Sequence, residues 1–392
     1  MLDLMQVAVQ IGDAGRREGE RRGRVADATA RGLTRIEEMD AVQWPVQIGR
    51  IRLARTSWLV AHSQALPSER VAVPPPPESY VVVATDGSQV APDRHEGVGG
   101  CYLLNIGRIT LSYGTGTRAR LESSAEVLVA DDAEGDEDSS VATLRFAREM
   151  TALSEIAAEA ATAELPTVGL TDGSLIAWFL DDKQGDDPAK AEALAALLET
   201  LKLTQAAGVP VAGYVSSPGS RDIVNALRIT LCPDEPVDCG RCQHDKADLP
   251  CAPVQRTTDA ALFERLLTIG QRSAVFSAKD QTRGFSNILS LYGADQWIAF
   301  FYLHVGAEVA RIEIPAWVAA DPRAVDLVAA VCFDQAVKGR GYPVALAEAH
   351  ERAVVRGADR QAFLSLLQRS FVRAALPAGG SRKALAKRTR AV

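Results

Sequence analysis

Two four-residue segments repeat in this chain: Thr85-Asp86-Gly87-Ser88 within YVVVATDGSQV, and Thr171-Asp172-Gly173-Ser174 within TVGLTDGSLIAWFL. Each follows a short apolar run that reads as a buried strand. Asp-Gly is a common turn, but two copies in the same strand context suggest that each strand end delivers one carboxylate. Glycine after aspartate lets the backbone turn sharply and leaves the carboxylate unobstructed, and Ser174 is placed to cap a following helix. Carboxylates brought together repel, so a cation or a proton must compensate. Mg²⁺ and Mn²⁺ prefer oxygen ligands of this kind. Two such ions about 4 Å apart can activate a water and stabilise the leaving oxygen of a phosphodiester.

A third acid is expected from the helix that separates the two copies, over Val141–Glu164. At about 100° per residue, Phe146, Met150, Leu153, Ile156, Ala157 and Ala160 define one apolar face. Glu149 falls on that face and Glu155 nearly opposite. An acid facing the sheet costs free energy unless it is paired or metal-bound, so Glu149 is the better ligand of the two, the other reading being a salt-bridged helix residue.

A second cluster is made of sulfur. Cys232, Cys239, Cys242 and Cys251 form C-x6-C-x2-C-x8-C, with His244 inside it and Pro233, Pro236, Pro250 and Pro253 around it. Four thiolates with one CxxC can close a tetrahedral Zn²⁺ site or hold an iron–sulfur cluster. In a proline-rich loop such a metal would supply order. Structural zinc is favoured slightly over a cluster, and unligated thiols are the remaining alternative. Six cysteines among 392 residues do not suggest a secreted disulfide scaffold.

These groups need elements to position them. The predicted order from Tyr80 is three strands, a helix (Val141–Glu164), a strand (Val168–Thr171), helices over Ser174–Leu180 and Pro188–Ala206, and a strand (Val209–Val215). The first three strands are Tyr80–Thr85 and a hairpin of Gly99–Asn105 with Arg108–Tyr113 across Ile106-Gly107; Glu126–Ala130 is a candidate for a further short strand. This is an α/β pattern, a mixed sheet flanked by helices. It is also the element order of the ribonuclease H-like fold, in which the first and fourth strands lie side by side. Further on, Trp297–Val305 and Glu308–Pro315 read as paired strands, and Asp321–Lys338 and Val344–Val355 as helices. Residues 1–73 are expected to form an N-terminal helical segment and linker, with RREGERRGR as a solvated helix face. Pro74–Ser79 (PPPPES) reads as a stiff extended link. The main domain is expected over 74–375, with a Cys-rich insertion at 232–253. A basic tail over 376–392 reads as disordered.

The net charge is −7 and 47% of residues are hydrophobic, so a sizeable core is expected, and any attraction to nucleic acid must be local. The N-terminus lacks a secretory pattern and no run of about 18 apolar residues occurs. A cytoplasmic protein that does not enter membranes is the expectation.

The stretches VVATDGSQ, GLTDGSLI, QRSAVFSAKD, FFYLHVGAEVARIEIPAWVA and GYPVALAEAHERA, in this order, resemble the NurA nuclease family. The resemblance covers most of the chain from Tyr80. It implies a ribonuclease H-like core and a Mn²⁺-dependent deoxyribonuclease. It also implies action on single-stranded DNA and on 5′ ends of duplexes, and dimers working with the hexameric translocase HerA in DNA end resection and repair. By motif, Asp86 and Asp172 match the family's metal-binding aspartates, and His350 in AEAHE matches its late histidine; Glu149 is placed by helical phase alone. A neutral imidazole at His350 can bind a metal or assist proton transfer; a helix-surface histidine is the alternative. Arg272 and Lys279, flanking a strand at Ser273–Phe276, are candidates for holding phosphate oxygens.

Two other functions compete. Actin-like ATPases share the core and use two Asp-Gly turns around phosphates, but their turns normally read Asp-x-Gly-Thr/Ser, whereas Asp and Gly are adjacent here. A non-catalytic adaptor clamping a translocase onto DNA would need no metal ligands, and Asp86, Asp172 and His350 together argue against it.

Overall fold

In the computed structural model the described residues are 4–91, 100–129, 137–161, 165–178, 188–245, 248–278, 288–289 and 291–376. In chain order the elements are α1 (Leu4–Glu37), α2 (Gln43–Leu53), β1 (Ala61–His62), β2 (Arg70–Ala72), β3 (Tyr80–Val90), β4 (Cys101–Tyr113), β5 (Arg120–Val129), α3 (Glu137–Ala160), β6 (Thr167–Asp172), α4 (Pro188–Ala206), β7 (Val211–Val215) and α5 (Asp222–Leu231). They continue with α6 (Asp259–Leu266), β8 (Gln271–Ser273), β9 (Phe276–Ala278), β10 (Ile298–His304), β11 (Val309–Pro315), α7 (Ala316–Ala319), α8 (Pro322–Lys338), α9 (Val344–Ala353) and α10 (Gly357–Arg373). Two compact units result, one of Met1–Pro75 with Tyr214–Phe333, the other of Pro76–Gly213 with Asp334–Val392. Among the described residues no helix is long and apolar enough to cross a membrane.

The second unit carries the repeated segments. Its strands lie in the order β5-β4-β3-β6-β7, with β4 antiparallel to β3 and β5, and β6 parallel to β3. The first and fourth strands of this sheet are therefore neighbours, the ribonuclease H-like arrangement. Runs such as Val81–Ala84 and Val168–Leu170 are buried throughout, because helices cover both faces. Asp86 pairs with Gly107, and paired residues share a face of the sheet. A side chain at Gly107 would meet Ala349 and Ala353 of α9, whereas one at Gly87 would meet Arg145 and Glu149 of α3. Helix α9 thus covers the face of Asp86, and α3 the opposite face.

Three expectations change here. β3 does not stop at Thr85: it continues through the first repeat to Val90, paired residue by residue with β4. The hairpin across Ile106-Gly107 is instead one continuous strand, Cys101–Tyr113. Gly107 serves close approach rather than a turn, since a Cβ there would lie 2.3 Å from the Ala349 carbonyl oxygen. Finally, residues 174–177 are not helical and Trp178 has 3₁₀ geometry; Phe179 and Leu180 lie outside the described residues.

In the first unit, β10 and β11 form an antiparallel pair whose residues are nearly all buried. Phe263, Phe276, Phe300 and Tyr302 pack beside them. The buried guanidinium of Arg311 is compensated by Asp222 at 2.5 Å and Glu313 at 2.8 Å, and it lies over the Phe300 ring. Asp259 accepts from the first backbone N–H groups of α5, at Ile223 and Val224, and from the Tyr302 hydroxyl. It satisfies donors that a buried helix start would otherwise leave orphaned. The charge-rich stretch of α1 is a solvated face, as expected, with exposed pairs such as Arg21–Glu18.

Candidate active site

The two repeats are in register. Thr85 pairs with Thr171 across the parallel strands β3 and β6, so Asp86 and Asp172 stand side by side, one strand spacing apart. The two copies then diverge. In the first, every residue ties an element to the site. Thr85 Oγ1 donates to the Glu149 carbonyl oxygen at 3.0 Å, pinning α3 at that residue. Asp86 Oδ1 accepts from the Gly87 N–H at 2.8 Å, and its Oδ2 lies 2.8 Å from His350 Nδ1. Gly87 leaves room for a carboxylate from the other face: a Cβ there would lie 2.5 Å from Glu149 Oε1. Ser88 Oγ donates to the Ala353 carbonyl at the end of α9. In the second copy β6 ends at Asp172, Gly173 takes φ +92° to turn the chain, and the Ser174 hydroxyl accepts from the Ile176 N–H and the Trp178 indole N–H.

Glu149 is the third acid of this group. Its Oε1 is buried with no hydrogen-bond partner among the described residues. The nearest cation, Arg145, stands 3.6 Å away and donates instead to the Gly87 carbonyl at 2.5 Å. Burial, with the fields of Asp86 and Asp172 working against that of Arg145, pushes the Glu149 carboxyl up to about 7. Partial desolvation by the groups crowded around it and the field of Asp86 also raise Asp172, although its side chain is open to solvent, against a hydrogen bond from Tyr342 and the field of His350. A buried carboxylate oxygen without a hydrogen bond, beside two further carboxylates, has the donor chemistry of a Mg²⁺ or Mn²⁺ ligand set. The residues present fit such ions. Glu155, the other candidate on α3, points away and pairs with Arg108 at 2.8 Å, half exposed.

His350 is carried by α9, which is held at both ends. Gln335 Oε1 accepts from the Ala345 N–H, and Asn105 Nδ2 donates to the carbonyls of Arg352 and Ala353. A methyl group at Gly107 would push this helix off the sheet. Gly107→Ala is expected to lower stability by about 1–3 kcal/mol, as overpacked cores do, measured by chemical denaturation. An unchanged denaturation midpoint would mean that α9 does not rest on Gly107.

The family model of the NurA domain matches residues 80–355. The chain belongs to the NurA family. No curated protein matches it. Among solved structures, the NurA nuclease from Sulfolobus solfataricus is 14% identical, covering 85% of this chain and 92% of its own, with a TM-score of 0.49. A NurA with manganese is 13% identical over 89% and 97% of the two chains, with a TM-score of 0.37. A NurA bound to dAMP and manganese is 12% identical over 82% and 92%, with a TM-score of 0.32.

For this NurA-family chain, the structure also places the remaining predicted residues. Arg272 is not free for phosphate: it is buried, pairs with Asp326 at 2.9 Å and donates to the Ser273 carbonyl. Its position on β8 turns it into the first unit's interior. Lys279 and most of the basic tail lie outside the described residues. Two residues of the site, Tyr342 and Arg145, are not singled out by the sequence. Tyr342 sits in GYPVALAEAHERA, two residues before α9, and Arg145 precedes Glu149 by one helical turn, the spacing of an i,i+4 ion pair.

Cys232, Cys239, Cys242 and Cys251, in the first unit, are all free and line one cavity together with Asp234 and His244. Burial pushes Cys239 up to about 11, and burial also raises Cys232, with the neighbouring thiols adding to both.

Proposed function

We propose that this NurA-family chain is a divalent-metal-dependent deoxyribonuclease, with Asp86, Glu149 and Asp172 holding Mn²⁺ or Mg²⁺. The observation that carries this reading is the in-register pair of aspartates beside the buried Glu149 oxygen, which has no hydrogen-bond partner among the described residues. Ions bound there would activate a water and neutralise charge on the phosphodiester. The protein's own groups do the rest. Asp86 fixes the His350 tautomer by accepting from Nδ1–H, which leaves Nε2 as the nitrogen that exchanges a proton with the departing oxygen. The Tyr342 hydroxyl orients Asp172. Arg145 holds the Gly87 carbonyl and offsets the charge of Glu149.

The family resemblance supports finer points: single-strand endonuclease and 5′-end exonuclease action, a homodimer, and partnership with a HerA-type translocase in DNA end resection or repair. The DNA is then drawn by local positive charge, because the chain as a whole carries −7.

The deciding experiment is cleavage of end-labelled single- and double-stranded DNA by the purified chain with Mn²⁺, Mg²⁺ or EDTA. Cleavage that requires a divalent ion is the expected result. Absence of cleavage with every ion, with a HerA-type translocase added, would overturn the reading.

A further inference from the structure

The cysteine loop lies in the first unit and takes no part in the carboxylate chemistry. Between Cys232, which follows the last residue of α5, and Cys251, regular structure among the described residues is confined to one three-residue 3₁₀ turn, Cys239–Arg241, and a single bridge between Asp238 and Arg55. The loop is nevertheless docked. Arg50 of α2 donates to the carbonyls of Cys232 and Asp234 at 2.7 and 3.2 Å. The Arg55 N–H donates to Val237, and the Cys239 N–H returns to Arg55. Cys232 and Cys239 pack on the cluster of Trp44, Ile48 and Ile51. A segment with so few backbone bonds of its own needs another source of order.

The side chains line one cavity, and the tightest group on it is Cys232 with Asp234 and His244. Cys232, Cys239, Cys242 and Cys251 surround a cavity of about 30 Å³, room for one water-sized body. The Cys232 sulfur, an Asp234 carboxylate oxygen and a His244 ring nitrogen lie within 4.8 Å of one another, and no other such group occurs among the described residues. His244 Nε2 is bonded to both Asp234 oxygens, at 3.1 and 3.2 Å. Such a carboxylate–imidazole pair is a common outer partner of a metal site. Arg228, stacked 4.1 Å over the Trp58 ring, also lines the cavity and brings positive charge to it.

We propose that this loop is a structural zinc site in which the thiolates of Cys232, Cys239, Cys242 and Cys251 close a tetrahedron about a single Zn²⁺, with the Asp234–His244 pair alongside. Thiolates are soft ligands and select zinc over the hard ions suited to carboxylates. The cavity accommodates one ion. On binding, the thiols release their protons to solvent and the charge of the resulting thiolate centre is offset by Arg228 and Arg50. The ion clasps the end of α5 to the loop that Arg50 of α2 docks and so adds its binding free energy to the folding of the first unit.

The test is independent of nuclease activity. The full chain, grown with zinc, is analysed for metal by mass spectrometry and by its visible spectrum. It is then exchanged with Co²⁺ and read for thiolate-to-cobalt charge transfer and tetrahedral ligand-field bands. One zinc per chain, no visible colour before exchange and a tetrahedral thiolate spectrum after it are expected. Zinc should be absent from the Cys239→Ser/Cys242→Ser double variant and retained in Asp86→Ala. His244→Ala should keep the zinc with affinity weakened by about 10–100-fold, as for an outer partner. Should the double variant fail to fold, the cobalt spectrum of the native chain decides alone. A chain that holds no zinc and takes up no cobalt, a double variant that keeps its zinc, a His244→Ala chain that loses it, or iron with labile sulfide in the native chain would each overturn the proposal.

Discussion

Replacing Asp86 or Asp172 by alanine is expected to lower metal-dependent DNA cleavage by at least about 10³-fold, or about 4 kcal/mol at 1.4 kcal/mol per decade. Each aspartate stands at one of two adjacent parallel strands, in register through Thr85 and Thr171, so neither can substitute for the other without moving a strand. Asp86 carries the larger burden, because it also holds His350 at 2.8 Å. The fold should survive both changes. Asp172 is exposed at the end of β6, and removing either charge relieves repulsion on Glu149. Cleavage of end-labelled DNA, with thermal unfolding of the same preparations as the control for folding, decides it. Full activity in either variant would remove that aspartate from the reaction.

The second large effect concerns Glu149 and has opposite signs for stability and activity. In the metal-free protein its carboxyl is raised from the ordinary 4.5 to about 7 by burial first, and by the fields of Asp86 and Asp172. Between these two pH values the native state holds a proton that the unfolded chain has released. Stability therefore falls as pH rises through this window, and above 7 the full penalty of roughly 3 kcal/mol is present. Glu149→Gln carries no charge at any pH. With EDTA present it should unfold at higher denaturant concentration than the native chain at pH 8, by up to roughly 3 kcal/mol, and the gap should close below pH 4.5. The same variant should lose cleavage and lose the stabilisation that Mn²⁺ confers on the native chain. Glu155→Gln, which breaks only a half-exposed pair with Arg108, should leave cleavage within about twofold, since such pairs contribute little. A Glu149→Gln gap that did not vary with pH would mean that the carboxyl is not desolvated.

Much of this site is legible in the order of the amino acids. The repeated Thr-Asp-Gly-Ser identifies two aspartates because a strand places residues at a fixed spacing, so equal motifs on neighbouring strands end flush when the strands are in register. Helical phase separates Glu149 from Glu155 because 3.6 residues per turn fix which side chains share the apolar face. The limits of Pro188–Ala206 agree to the residue, and those of the paired strands over Ile298–Pro315 to within one residue at each end, where long periodic or β-branched runs leave little choice.

Other features needed the third dimension. Gly107 looks like a hairpin because glycine in a strand signals a break, yet the cause is the Ala349 carbonyl of a helix more than 200 residues later. Gly87 and Gly173 look identical in sequence; one makes room for Glu149 and the other turns the chain at φ +92°. Arg272 reads as available for phosphate until Asp326 is found 2.9 Å away. Tyr342 and Arg145 carry no motif of their own. The amino-acid sequence by itself determined which carboxylates, which histidine and which cysteines this NurA-family chain offers, because local periodicity and spacing are properties of the chain. Only the tertiary structure decided which of them meet, which are left without partners and which are consumed by neighbours, because burial and pairing depend on residues that the chain order keeps far apart.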